Sequence, residues 1–441
     1  MNCEVNTALQ EGKLDGPHEH SLVAKARDWC VLHAIAGRFD RAGHHLYVWK
    51  SLLESCCNDV RLPKGKPTAS GSNDNHAGAR HDSPASTAPH SITALWEPGV
   101  GEIVETPILS ALQQRWGEEL DREIRLWLVG EQGVEALHGM MEYQLGYVDE
   151  RFRPQRSPGG KRFRPWLCLL ACQGLGGDGT AGMTAAAAIE LLHNFSLIHD
   201  DIEDRDPARR HRPTVWKVWG EAQAINAGDA MFAAASAAIL QCHPLPTVAL
   251  DLARRFQFTV RALTDGQYLD MSFETRQDVT TGEYVRMIGL KTAALTAYSA
   301  WAGAIIGGAG ADIAGALRGF GWELGLAFQI RDDVRGIWAA IEQTGKEPAK
   351  DIQNRKKTMP VLLALERCDC KNREELVRYF AGECDDARLA IDIITQSGAE
   401  ELCVSAIKLH LEAALEALNR ARLDASRLDE LQRLALQLTA Q

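Results

Sequence analysis

The stretch from Ala185 to Asp204, AAAAIELLHNFSLIHDDIED, restricts the possible folds most: apolar residues recur at helical spacing, Pro and Gly are absent, and acids crowd its end. That period belongs to a largely buried α-helix, which needs other elements to cover it. The chain beyond residue 95 supplies them. Helices are expected at 222–242, 247–275, 282–306, 312–338 and 399–421, with breaks such as His243-Pro244 and Gly307-Gly308 and no alternating β-rich runs. The expected fold is all-α, an antiparallel helical bundle around a central cavity lined by side chains from facing helices.

Residues 1–95 read differently. A loosely periodic amphipathic pattern over 21–54 precedes KGKPTASGSNDNHAGARHDSPASTAPHS at 64–91, too polar to repay the entropy of ordering. The reading is a mostly disordered extension, 1–95, that leads the chain or docks a protein partner, and a catalytic domain over 96–441. Glu4, Glu11, Lys13 and Asp15 interrupt any early apolar run, and runs such as Leu295 to Ile306 are too short to span a bilayer, so neither a leader nor a stable membrane anchor is expected. Eleven cysteines follow no regular pairing, which fits a reducing, cytoplasmic setting. Neither Cys56-Cys57 nor Cys368-Asp369-Cys370 is matched by a second pair at zinc-like spacing. A net charge of −11 excludes an extended nucleic-acid surface. An anionic substrate must therefore be met by a local group of cations or by metal ions.

The acids and cations suited to that task are grouped. Asp200 and Asp204 are four apart, so their oxygens can converge and share a divalent cation; hard oxygen ligands suit Mg²⁺, which completes its shell with water and substrate phosphate. A solvated helix end explains the same acids. Asp332-Asp333 in FQIRDDVRG ends a second apolar segment. GGKRFRP, residues 159–165, sets Lys161, Arg162 and Arg164 on a Gly-rich, Pro-stopped turn, and Arg209-Arg210 follow the first acids. Arg and Lys together suit a diphosphate. His193 lies two helical turns before Asp200 on the same face. Lys291-Thr292, Gln267 with Asp270, and Gln329 with Asp332 are polar pairs on apolar helices, and a shared polar cavity is their simplest common partner.

Taken in order, GGKRFRP, HNFSLIHDDIED, RRHRPT, AGD at 227–229, GQYLD at 266–270, LKT at 290–292, FQIRDD at 328–333 and GKEPAKDIQNRKKTMP at 345–360 resemble the trans-isoprenyl diphosphate synthase (polyprenyl synthetase) family over roughly 110–430. The resemblance implies an isoprenoid synthase-type bundle. Asp200, Asp201, Asp204 and Asp332 would hold two or three Mg²⁺ ions on an allylic diphosphate, with Asp333 acting through water. Arg209, Lys291 and Lys356 would touch that diphosphate, Lys161, Arg164, His193 and Arg210 would bind isopentenyl diphosphate, and Thr292, Gln329 and Gln267 would line the site. It implies a homodimer as well. The floor of the product cavity would be Phe195 and Ser196, a bulky and a small residue, as in enzymes making C15 to C20 products, geranylgeranyl diphosphate first among them.

Three positions depart from the family pattern: Gly336 where the second acid motif usually ends in Asp, and His211 and Arg355 where Gly is frequent. A class I terpene cyclase shares the first acid motif but has no need of the second cation group. A non-catalytic partner subunit is the other alternative, which Gly336 favours and the intact first motif opposes.

Overall fold

The computed structural model describes residues 107–129, 133–155, 160–177, 179–338 and 350–440. The amphipathic pattern at 21–54, the polar stretch 64–91, the boundary near 95, Cys56-Cys57, Gly159 and residues 345–349 lie outside them.

The described chain is helical almost throughout. α1 (Ile108–Leu128) and α2 (Glu135–Leu145) precede α3 (Phe163–Gln173), and α4 (Met183–Glu203) leads into a small antiparallel hairpin, β1 (Ala208–Arg209) with β2 (Arg212–Pro213). Next come α5 (Val215–Trp219), α6 (Glu221–Leu240), α7 (Pro246–Thr275), α8 (Thr281–Ile288), a π-helical turn (Gly289–Ala293), α9 (Ala294–Ile306) and α10 (Ala311–Trp338). The C-terminal part holds α11 (Lys350–Gln353), α12 (Met359–Arg367), α13 (Cys370–Phe380), α14 (Ala387–Gln396), α15 (Ala399–Arg420) and α16 (Ala425–Thr439). Local chemistry starts several of these helices. Thr280 and Glu283 form a reciprocal capping box at α8, and Asp369, Asp386 and Asp424 accept backbone N–H groups at α13, α14 and α16.

Two packed cores share α10 and α15. Leu317, Phe320 and Leu324 of α10 join Leu411, Ala414 and Leu418 of α15 in the first core, beneath Trp166 of α3 and the alanines of α4. Ile330, Val334 and Ile337 join Cys403, Ala406 and Ile407 in the second. The helical stretch Gly179–Glu203, which contains α4, is long and apolar enough to cross a membrane, yet two-thirds of its apolar window is buried inside the protein, so it serves as a core helix. Its alanines let neighbours approach without large side chains between backbones. Glycine serves the same end where α9 meets α3: a Cβ at Gly303 would lie 2.0 Å from the carbonyl oxygen of Cys168.

Two local expectations are corrected. The helix expected over 282–306 is interrupted by the π-helical turn, which carries Lys291 and Thr292; α7 comes so close there that a Cβ at Gly266 would lie 2.4 Å from the Lys291 nitrogen. GGKRFRP is not a Pro-stopped turn. Arg162, at φ 48°, ends the turn, and Phe163, Arg164 and Pro165 open α3, where a missing N–H costs nothing because the first turn has no acceptor for it.

Replacing Gly303 with Ala should force α3 and α9 apart and lower stability by about 1–3 kcal/mol, measured by urea unfolding against the wild-type chain.

Candidate active site

The end of α4, the hairpin, the end of α7, the π turn and the segment after α11 bring together acids and bases far apart in sequence. Asp200 takes Nζ of Lys291 at 3.0 Å and Nη2 of Arg209 at 3.5 Å. Lys291 also reaches Asp270 at 2.6 Å, and Asp204 takes Nζ of Lys356 at 2.6 Å. Asp201 is buried beneath them, accepting from Nε of Arg209 at 2.7 Å. Carboxylates and cations thus alternate, each charge answered by its neighbour.

The acids differ in proton affinity for physical reasons. Burial lifts Asp201 to about 6 although Arg209 pulls it down. Burial and Asp200 raise Asp204, whereas Lys291 and Arg209 outweigh burial and hold Asp200 below its usual range. Lys291 is held above its usual range because Asp200 and Asp270 outweigh its desolvation.

A second group lies beside this one and is almost wholly cationic. Arg164, buried in the first turn of α3, places Nη1 3.3 Å from Nε2 of His193. Burial and the charges of Arg164, Arg210 and Arg209 push the imidazole well below its ordinary value, so His193 is neutral. Arg210 lies over the Gly160 backbone, where a Cβ would meet its Nη2 at 2.3 Å, and this brings it to the turn that carries Lys161. Lys161 sits 5.6 Å from the ring of Phe328, which packs on Phe163 at 4.7 Å. Among the described residues neither Arg164 nor Arg210 forms an ion pair with a carboxylate.

The second acid motif divides. Asp332 is partly exposed and pairs with Arg331 at 3.1 Å. Asp333 is buried and accepts from Tyr284, Gln329 and the Met359 N–H, and burial lifts it to about 8 against those donors. Gln329 also accepts from Thr292 at 2.8 Å. The polar residues grouped by sequence therefore find other partners: Gln329 bonds Thr292 across helices and Asp333 one turn along its own helix rather than Asp332, and Gln267 donates to Glu203 of another helix at 2.6 Å rather than to Asp270. Ser196 donates to the His193 carbonyl, while the Phe195 ring packs between His199 at 4.9 Å and Phe232 at 5.2 Å.

The three departures have structural counterparts. Arg210 and His211 both have positive φ, 51° and 62°, at the tip of the hairpin, and Arg355 has φ 54°. Glycine suits such positions because a Cβ there costs about 1–2 kcal/mol. Arg355 offsets that cost by donating to the carbonyls of Tyr379 and Cys384 and pairing with Asp385. At Gly336 the space is already used, since a Cβ would lie 2.5 Å from Oδ2 of Asp351.

Sequence reasoning passed over Glu190, Tyr284, Phe232 and Asp351. Glu190 carried a signal, a lone charge in an alanine-rich run; Tyr284 carried none.

The donor set fits Mg²⁺. Oδ2 of buried Asp201 has no hydrogen-bond partner, so it can accept a cation, and its neighbours are hard carboxylate oxygens. No three His, Cys, Asp or Glu side chains among the described residues form a cage on their own. Mg²⁺ asks for none, because one or two carboxylates with water and phosphate suffice.

The polyprenyl synthetase family profile matches residues 148–394. The chain is 46% identical over 222 residues to a (2E,6E)-farnesyl diphosphate synthase of Mycobacterium tuberculosis, a match covering 50% of this chain and 61% of that relative. It is 38% identical over 287 residues to a geranylgeranyl diphosphate synthase of the same organism, covering 64% of this chain and 82% of the other. The crystal structure of polyprenyl synthetase from Streptomyces coelicolor A3(2) superposes with a TM-score of 0.70 at 34% identity, covering 75% of this chain and 100% of that one.

Gly336→Asp should crowd a second carboxylate against Asp351 and destabilise the fold by about 1–3 kcal/mol. Adding Asp351→Ala should recover most of the loss, a non-additivity that urea unfolding of the two single variants and the double variant measures.

Proposed function

The chain belongs to the polyprenyl synthetase family, and on that premise we propose that it condenses isopentenyl diphosphate head-to-tail with an allylic diphosphate and releases diphosphate. The observation that carries this reading is the pair of adjacent but unlike charge groups. One threads Arg209, Lys291 and Lys356 among Asp200, Asp201, Asp204 and Asp270; the other gathers Lys161, Arg164, His193 and Arg210 with little opposing charge. Two diphosphates of different chemistry need two such places. A class I cyclase, which takes one, leaves the second unexplained.

Asp200, Asp201, Asp204 and Asp332 would hold two or three Mg²⁺ ions in this reading, with Asp333 acting through water. When bound, Mg²⁺ neutralises these acids and draws charge onto the leaving diphosphate. Arg209, Lys291 and Lys356 stabilise the same oxygens as the allylic C–O bond breaks. The second group fixes isopentenyl diphosphate so that its double bond attacks the allylic carbocation, forming the new C–C bond, and the departing diphosphate takes the proton then lost. Thr292, Gln329 and Gln267 line the polar side. Phe195 and Phe232 form an apolar side that keeps water from the cation.

The product is a trans-prenyl diphosphate of about C15 to C20, geranylgeranyl diphosphate favoured, because Phe195 is bulky and Ser196 small. A homodimer completes the proposal. Leu250, Phe258, Tyr268 and Met271 expose large apolar surface along α7, which a second copy would cover.

Purified protein incubated with isopentenyl diphosphate, Mg²⁺ and each of the C5, C10 and C15 allylic diphosphates is expected to give elongated diphosphates and to stop when Mg²⁺ is chelated. Cyclic hydrocarbon from the allylic substrate alone would establish the cyclase instead, and no turnover with any of the three would support a non-catalytic partner subunit. Phe195→Ala should shift the product distribution to longer chains, read by separating products by length; an unchanged distribution removes Phe195 from the cavity floor.

A further inference from the structure

Glu190 is 3% exposed in the alanine-rich half of α4, one helical turn before His193 and Asn194. A buried carboxylate is costly unless something nearby requires its charge. Asn194 donates to its Oε1 at 3.0 Å and to its backbone carbonyl at 2.9 Å, which fixes the side chain on the helix. Nε of Arg162 stands 4.0 Å from the same Oε1, but Asp121 and Tyr147 take the rest of that guanidinium at 2.5 and 3.2 Å. Oε2 has no partner at all, and neither has Nε of Arg164.

The surroundings account for the charge. Burial depresses Arg164 to about 10, and Glu190 is the strongest attraction opposing that shift; it is also the strongest attraction acting on Arg210. Arg162 is already paired with Asp121, and Glu190 is the one described carboxylate that acts on Arg162, Arg164 and Arg210 alike. Without it, Arg164 and Arg210, which form no ion pair among the described residues, would lose their strongest attraction and face each other and Arg162 before any ligand arrived.

We propose that Glu190 is a positioning residue of the second diphosphate subsite: it is the resident counter-charge that holds Arg162, Arg164 and Arg210 together in the free protein and competes with the incoming diphosphate for them. The inference rests on the synthase reading for the identity of the physiological ligand, isopentenyl diphosphate, but it concerns the binding of a diphosphate group and can be tested without turnover. Glu190 acts through the arginines and does not touch the reacting carbons. Its removal should therefore weaken the empty protein while strengthening diphosphate binding, a combination that loss of packing alone does not produce.

The test compares the wild-type chain with Glu190→Gln and Glu190→Asp. Melting temperatures are measured in metal-free buffer with and without inorganic diphosphate, and KM for isopentenyl and allylic diphosphates is measured separately. Glu190→Gln should melt below wild type when empty and gain more from diphosphate than wild type gains. Its KM for isopentenyl diphosphate should fall about three- to tenfold with the allylic KM unchanged. Glu190→Asp keeps the charge and should return both readings toward wild type. A diphosphate-induced rise in Glu190→Gln equal to or smaller than that of wild type overturns the proposal. Should Glu190→Gln fold only when diphosphate is supplied, the counter-charge role stands; should it fail to fold with or without diphosphate, Glu190→Asp decides, supporting the role if it binds diphosphate as wild type does and refuting it if binding is lost. Absence of elongation by the wild-type chain would refute the synthase reading and leave the melting comparison intact.

Discussion

Mutual neutralisation of carboxylates and cations around Lys291 is the interaction on which the site depends. Asp200, Asp204 and Asp270 lie close enough to repel one another, and Lys291, Lys356 and Arg209 lie among them. Neither set could be held in a partly buried place alone. Each long side chain is tethered by the other set from a different stretch of chain, so the ends of α4 and α7, the π turn and the segment after α11 are tied at one point. The same arrangement makes the region responsive. A divalent cation bound there would compete for the acids and an anion for the bases, and a ligand that brought both would exchange partners without leaving buried charge unanswered.

Much of the bundle was legible because helical periodicity and helix breakers are local signals. The segments expected at 222–242, 247–275, 312–338 and 399–421 differ by a residue or two from α6, α7, α10 and α15. The acid run at Asp200 was legible for the same reason, since a spacing of four on one helix fixes a shared face. Pairings between helices were not. Gln329 finds Thr292 and Gln267 finds Glu203 because of how helices cross, which the residues nearest in sequence do not reveal. The π turn was hidden too: one extra residue per turn leaves no mark in an apolar run, and the close approach of α7 at Gly266 that accompanies it joins residues far apart in sequence.

The departures at Gly336, His211 and Arg355 show how a missing glycine or acid is absorbed. Arg355 keeps its left-handed backbone by anchoring two carbonyls and an acid beyond α13, so a residue that replaces glycine becomes a strut. At Gly336 the exchange runs the other way. The helix gives up a side chain, and the Asp351 carboxylate of α11 stands where that side chain would begin.

The contact between Gly303 and the Cys168 carbonyl has a mechanical meaning. It clamps α3 backbone-to-backbone on α9 at the centre of the larger core, and α3 carries Arg164 in its first turn. That guanidinium is therefore mounted on a helix whose backbone rests directly on that of its neighbour. Arg210 and Lys356, by contrast, are carried on shorter pieces of chain, the hairpin of two-residue strands and the segment after α11, so the cations of the site hang from supports of very different length.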